Sequence, residues 1–287
     1  MRLPSTTSAS GGCGRPGCRL GCLLLVAAPA VMLVRGLVEP RWVEITHPTA
    51  VVAGLPPAFA GLKVAVLTDI HHGPYLSRKR VRRIVELANT QTPDVTVILG
   101  DIVHRDARYI RPAWAELSRL RAPLGVYSVL GNHDYWEGAS ETRQAMAEAG
   151  VTDATQRASP LERQGQRIYL VGLDDVWEGH ADLTATMRQV GPNDIALVIT
   201  HNPDAFMQQW DVRARVWFAG HTHGGQVVLP WLMPPVVPSQ YGQTLRAGWV
   251  ERDGCRIYVS RGLGCITPPL RLNCRPELPV IELRRAP

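Results

Sequence analysis

From Leu62 onward, short β-branched apolar runs alternate with stretches of helical spacing, and the runs break off into polar residues that a packed strand has no use for. KVAVL at 63–67 leads into Thr68-Asp69-Ile70-His71, TVIL at 96–99 into Gly100-Asp101, and VYSVL at 126–130 into Gly131-Asn132-His133-Asp134. IALVIT at 195–200 leads into His201-Asn202, and VWFA at 216–219 into Gly220-His221-Thr222-His223. IYLVGL at 168–173 is a further apolar run. Runs of this length bounded by Gly and polar clusters read as buried strands. Between them, Val81, Ile84, Val85 and Ala88 recur at helical spacing over 78–90, and 139–149 and 183–190 also read as helices. The early body is therefore α/β. After Trp217, strand-like pieces (QVVL, RAGWVE, RIYVS, PVIEL) separated by Gly and Pro make the last third β-rich.

Open α/β sheets bind ligands at the carboxyl ends of their strands, which is where these polar residues fall. Carboxylate, imidazole and amide oxygen are donors that borderline-to-hard divalent ions accept, and the glycines permit tight turns that aim the next side chain back at an ion. One His at a strand end is ordinarily a loop residue, and one Gly-Asp pair is an ordinary turn. Five such ends in succession read as a metal site.

In the order DxH, GD, GNH(D/E), H and GHxH, these motifs resemble the calcineurin-like metallophosphoesterase superfamily over 61–284. HNPD at 201–204, GHTHGGQ at 220–226, SRGLG at 260–264 and PPLRLNCRPEL at 268–278 are similar to a bacterial branch of membrane-associated or exported members, among them proteins like the UDP-2,3-diacylglucosamine hydrolases of lipid A synthesis. The resemblance implies a four-layer α-β-β-α sandwich of two mixed sheets. It also implies hydrolysis of a phosphodiester, pyrophosphate or phosphomonoester by metal-activated water. Two divalent ions (Mn, Fe, Zn or Ni) would be bridged by Asp101, with Asp69, His71 and His223 completing one site and Asn132, His201 and His221 the other. His133 would stabilise developing charge or protonate the leaving group, with Asp134 orienting it. His72, His104 and Arg271 are candidate substrate contacts. A non-catalytic scaffold of the same fold is the alternative from another class, and the retention of every ligand position and of His133 favours the enzyme.

Residues 1–19 are basic and rich in Gly, Ser and Pro, and are expected to be disordered; 20–38 carry LGCLLLVAAPAVMLV followed by Arg35 and three further residues. Nineteen residues can span a bilayer as a helix with Arg35 snorkelling, and fifteen suit a signal-peptide core. An uncleaved apolar anchor helix in the inner membrane is the expectation. Flanking Arg residues weakly favour a periplasmic body, with the cytoplasmic face as the alternative. Residues 39–60 are expected to hold a first strand and a Pro-rich connector, and 61–287 the catalytic domain. The net charge is +6, and 29 of the 31 cations are Arg. This fits either nucleotide composition or an anionic partner such as a phosphate-containing small molecule or a lipid. Arg78-Lys79-Arg80-Val81-Arg82-Arg83 sits at a helix start, where cations oppose the helix dipole and invite an anion. No nucleic-acid module is present, and a monomer is expected. The apolar, Pro-locked stretch 230–238 reads either as a loop packed on its own core or as a lip facing lipid through Trp231 and Leu232. Cys255, Cys265 and Cys274 could form one disulfide in an oxidising compartment.

Overall fold

The computed structural model describes residues 29–229, 233–234 and 236–286. Residues 29–38 are helical (α1). The core begins with β1 (Glu44–Thr46), β2 (Thr49–Val52) and β3 (Lys63–Leu67), followed by α2 (Arg78–Thr90), β4 (Val95–Ile98), α3 (Ile110–Leu117), β5 (Val126–Ser128), α4 (Asn132–Glu148) and β6 (Thr152–Asp153). The second half holds β7 (Arg157–Arg163), β8 (Gln166–Gly172), α5 (Leu183–Met187), β9 (Ala196–Ile199), α6 (Asp204–Gln208), β10 (Ala214–Ala219), β11 (Gly248–Arg252), β12 (Cys255–Val259) and β13 (Glu277–Arg285).

Two sheets form. The first runs β1-β13-β3-β4-β5-β6, with β2 also paired to β13; the second runs β11-β12-β10-β9-β8-β7. Both are mixed. β3, β4, β5 and β6 are parallel and β13 is antiparallel to β3; β8, β9, β10 and β12 are parallel, while β7 and β11 are antiparallel edges. Strand alternation assigns the layers. Val64 and Val66 of β3 join Leu197 and Ile199 of β9 in one core between the sheets, while Ala65 and Leu67 face α2, α3 and α4. Ala196 and Val198 face the opposite side with Phe206 of α6 and Trp217. Helices thus cover the outer face of each sheet, and the sequence alternation is a buried sandwich read strand by strand.

Residues 39–60 hold two strands where the sequence predicts one. β1 and β2 both run parallel to β13 and extend the first sheet, and the following turn buries Leu55 and Phe59 in the inter-sheet core. Their few apolar residues are spent on pairing with a strand more than 220 residues away, which no local pattern reveals. The cluster 78–83 also reads differently in three dimensions. Arg78 and Arg82, one turn apart on α2, donate to both oxygens of the fully buried Glu116 at 2.6–2.9 Å, and Arg119 approaches the same carboxylate at 3.5 Å. Arg80 donates to the Pro40 carbonyl and Arg83 pairs with Glu86. The anion that these cations invite is internal.

Among the described residues no helix is long and apolar enough to cross a membrane. The expected segment 20–38 lies outside the described residues up to 28, as do Cys13, Cys18 and Cys22. In α1, Val31, Met32, Leu33, Val34 and Leu37 are exposed. Cys255, Cys265 and Cys274 are buried free thiols.

Candidate metal centre

The strand ends named by the sequence meet at one edge of the sandwich, where the two sheets' parallel strands finish together. Three groups of donors form among the described residues: two meet at Asp101, namely Asp69, His71 and His223, and Asp101, His201 and His221, and the third is His71, His104 and His133. Asp101 touches the first two, since its Oδ2 lies 3.5 Å from His71 Nε2 and 3.3 Å from His201 Nε2. His71 Nε2 and His223 Nε2 are 3.1 Å apart, and Asp69 Oδ1 is 3.4 Å from His223 Nε2. In the second group His201 Nε2 lies 3.1 Å from His221 Nδ1 and 3.2 Å from Asn132 Oδ1.

Which ring nitrogen accepts in each of these contacts is set by the imidazole tautomers. His201 Nδ1 donates to the Leu99 carbonyl at 2.7 Å, which turns the lone pair of Nε2 toward the carboxylate, amide oxygen and second imidazole. A metal-ligating His is held in this way by its far nitrogen. The electrostatics ask for positive charge. Burial drives the His71 and His223 imidazoles well below their ordinary range and raises Asp69 to about 6. Burial alone would also lower His201, yet the Asp101, Asp69 and Asp175 carboxylates push it up to about 10. Burial opposes the charge on Asp101, but His201 and His71 hold it well below the usual carboxylate range. A water-poor nest of N and O donors with excess negative charge is the chemistry that divalent cations satisfy, so the residues present fit such ions.

The backbone carries the cost of this convergence. Asp69, His71, Asp101, His221 and His223 all have φ between 49° and 67°, the left-handed region that L-residues avoid. Each costs on the order of 1–3 kcal/mol, and such strain concentrates at functional sites. Two glycines make room. A Cβ on Gly131 would lie 2.3 Å from Asp101 Oδ1, and one on Gly220 would lie 2.4 Å from Asp69 Oδ2.

The calcineurin-like phosphoesterase profile matches residues 62–225, which contain every one of these donors. The chain belongs to the calcineurin-like phosphoesterases. It is 30% identical over 86% of its length, and 87% of the relative's, to the uncharacterised metallophosphoesterase YkuE of Bacillus subtilis. It is also 30% identical to phosphodiesterase YaeI of Escherichia coli, with 85% and 90% of the two chains covered. A zebrafish transmembrane protein with a metallophosphoesterase domain is 30% identical over 92% of this chain, which spans 63% of that relative. The chain is thus a phosphoric ester hydrolase whose fold implies divalent metal ions.

Around the centre of this phosphoesterase the remaining expected residues separate. His133 lies beside the first group, its ring 4.8 Å from His71, and its backbone N–H donates to Asp101 Oδ1 at 2.9 Å. His104 packs 5.1 Å from His133 and 5.4 Å from His71, is buried, and has no partner for either ring nitrogen. Asp134 does not orient His133. Its buried carboxylate accepts from the backbone N–H groups of Asp101 (2.7 Å), Gly131 (3.0 Å) and Ile102 (3.1 Å), so it ties the GD and GNHD loops together. On a helix, neighbours in sequence diverge by roughly 100°, which sends Asp134 inward and His133 toward His71.

His72 turns away, with Nδ1 on the Leu76 carbonyl at 2.7 Å and its ring against Tyr109. Arg271 is fully buried behind the centre, where no substrate reaches it. Its guanidinium donates to the backbone carbonyls of Gly264, Arg261, Cys274 and His223, so it holds the loops behind the centre together. Trp231 and Leu232 lie outside the described residues, although neighbouring Met233 and Val236 are exposed.

Three further features escape sequence reading. Glu137 Oε1 stands 4.0 Å from His133 Nδ1, and its i,i+4 spacing from His133 was the available signal. Asp175, after β8, is buried with one carboxylate oxygen unpartnered, and it follows the one apolar run whose end was not taken as part of the site. Trp136 and Trp177 flank the imidazoles of His133 and His221.

Proposed function

We propose that this phosphoesterase hydrolyses a membrane-proximal or lipid-linked phosphodiester or pyrophosphate with two divalent ions held by Asp69, His71, Asp101, Asn132, His201, His221 and His223. The observation that carries the reading is the convergence of two donor groups on a shared Asp101 carboxylate. When bound, the ions would activate solvent as the nucleophile and neutralise phosphoryl oxygens, a role open to Mn, Fe, Zn or Ni with such mixed ligands. His133, beside the first group and partly accessible, donates a proton toward the leaving oxygen. Asp134 holds the two ligand loops in register, and Arg271 anchors the backbone carbonyl of His223.

The membrane reading rests on the apolar segment 20–38, the exposed apolar side chains of α1, and the relationship to the zebrafish transmembrane protein. In this proposal the protein is a monomer anchored once in the inner membrane with its body in the periplasm. A pyrophosphate of the UDP-2,3-diacylglucosamine type would instead require the cytoplasmic face. YaeI is named a phosphodiesterase, which favours diester cleavage here. Hydrolysis of bis(p-nitrophenyl) phosphate in ¹⁸O-water tests the chemistry. One labelled oxygen in the product phosphoryl group, with turnover abolished by chelation and restored by added Mn, supports it; chelator-resistant turnover overturns it. Carboxyl-terminal reporter fusions active only in the periplasm support the orientation, and cytoplasmic activity reverses it.

A further inference from the structure

An indole closes each end of the metal centre. Trp136, on α4, packs 4.6 Å centroid to centroid against His133 at 65°, and Trp177, after β8, packs 4.3 Å against His221 at 88°. Rings continue inward from both. His133 lies 4.8 Å from His71, which lies 4.9 Å from His223, while His221 lies 4.9 Å from His201. Trp136 therefore borders the Asp69 group and Trp177 the Asp101 group.

Packing does not account for either residue. They come from different layers of the sandwich, neither belongs to any of the three apolar clusters, and they remain 55% and 44% exposed. A large exposed aromatic costs free energy that nothing on the protein recovers, whereas on a bound planar group it contributes dispersion and apolar burial. An independent observation lies beside His133, the ring on which Trp136 packs. His104 is only 6% exposed, and both of its ring nitrogens lack a partner, a desolvation cost that an oxygen of a bound molecule would relieve.

We propose that the phosphoesterase is built for a two-armed substrate, a phosphodiester or diphosphate bearing a bulky planar group on each side of the reacting phosphorus. One arm lies on Trp136, where His104 donates to an oxygen of that arm, and the other lies on Trp177. The inference rests on the phosphoesterase reading above and narrows it to substrates with a planar group on each arm in place of a lipid-linked one, because a phosphomonoester can occupy only one of the two platforms.

The test compares kcat and KM for bis(p-nitrophenyl) phosphate and p-nitrophenyl phosphate in wild type, Trp136→Ala, Trp177→Ala, the double variant and the two Trp→Phe variants, with bound metal measured in each. Each Trp→Ala change is expected to lower diester kcat/KM by about tenfold, mainly through KM, and Phe to recover most of it. The double variant should lose about a hundredfold on the diester and no more than about tenfold on the monoester. His104→Ala should weaken the diester further in the presence of Trp136, and less in its absence. Equal losses on both esters, or none, with metal content intact would overturn the two-armed substrate while leaving the phosphoesterase reading standing. A metal-loaded wild type inactive on both esters would overturn that reading and this inference together.

Discussion

Replacing Asp134 by Asn separates a structural carboxylate from a catalytic one. Asp134 Oδ2 accepts two backbone N–H groups, from Asp101 and Gly131, and Oδ1 accepts a third, from Ile102. An Asn carbonyl oxygen can keep the first two, but its NH₂ must then face the Ile102 N–H, leaving one buried donor unmet. An orphaned buried donor costs about 1–3 kcal/mol. For a domain of this size that is a fall in melting temperature of roughly 2–12 °C, at about 2–4 °C per kcal/mol. Burial raises the Asp134 carboxyl to about 7, so near neutral pH part of the wild-type population already carries a protonated acid and the loss stays toward the lower end. His133→Ala removes a partly accessible ring whose Nδ1 has no hydrogen-bond partner, so its melting temperature should move by less than about 2 °C. The assay is calorimetric melting of both variants beside diester turnover. Asp134→Asn should lose stability and bind metal less tightly, and His133→Ala should lose about 10²–10⁴ in kcat with its stability kept. An Asp134→Asn enzyme that melts like wild type but turns over as slowly as His133→Ala would refute the assignment.

Two other outcomes follow from the geometry. Hydrogen bonds from Arg82 and Arg78 hold Glu116 down from 4.5 to about 2, so its contribution to stability is complete above about pH 4.5 and lost as pH falls toward 2. After discounting for the half-exposed arginines, Glu116→Gln should cost about 2 kcal/mol at pH 7 by urea unfolding, and the gap to wild type should close below pH 3; a constant gap would contradict the linkage. Glu137→Gln keeps an acceptor for the Arg105 N–H but removes the charge near His133. It should slow esters with poor leaving groups about tenfold while sparing those with good ones, and equal slowing of both would remove Glu137 from the proton-transfer role.

Much of the fold is legible because buried parallel strands are apolar on both faces. KVAVL is β3 residue for residue, and the helix expected over 78–90 is α2 with the same bounds. β7 is the counterexample. Its RASPLER sequence holds Pro160, pairs on one side only, and buries a single residue, so neither hydrophobic period nor propensity marks it. Helices over 139–149 and 183–190 were placed but mis-bounded. The first begins at Asn132 within the metal motif and runs through a non-helical Gly138, and the second ends at Met187. At the site, residues aimed by strand ends were readable because the motif order is itself the geometry. Roles within the motifs were not. Asp134 stands beside His133 in sequence and points elsewhere. Arg271 looks like an anion contact until its burial against carbonyls is seen, and Asp175 and the two indoles become site residues only when the second sheet closes over the first.

The central claim is that seven side chains from both sheets hold two ions through a shared Asp101. Elemental analysis of metal per chain tests it most directly, run on purified wild type and Asp101→Asn in the same buffer. Wild type is expected to carry close to two divalent ions per chain and to show chelator-sensitive activity, and Asp101→Asn to lose metal from both sites. Wild type with a single ion, or an Asp101→Asn protein that keeps both ions and full turnover, would contradict it.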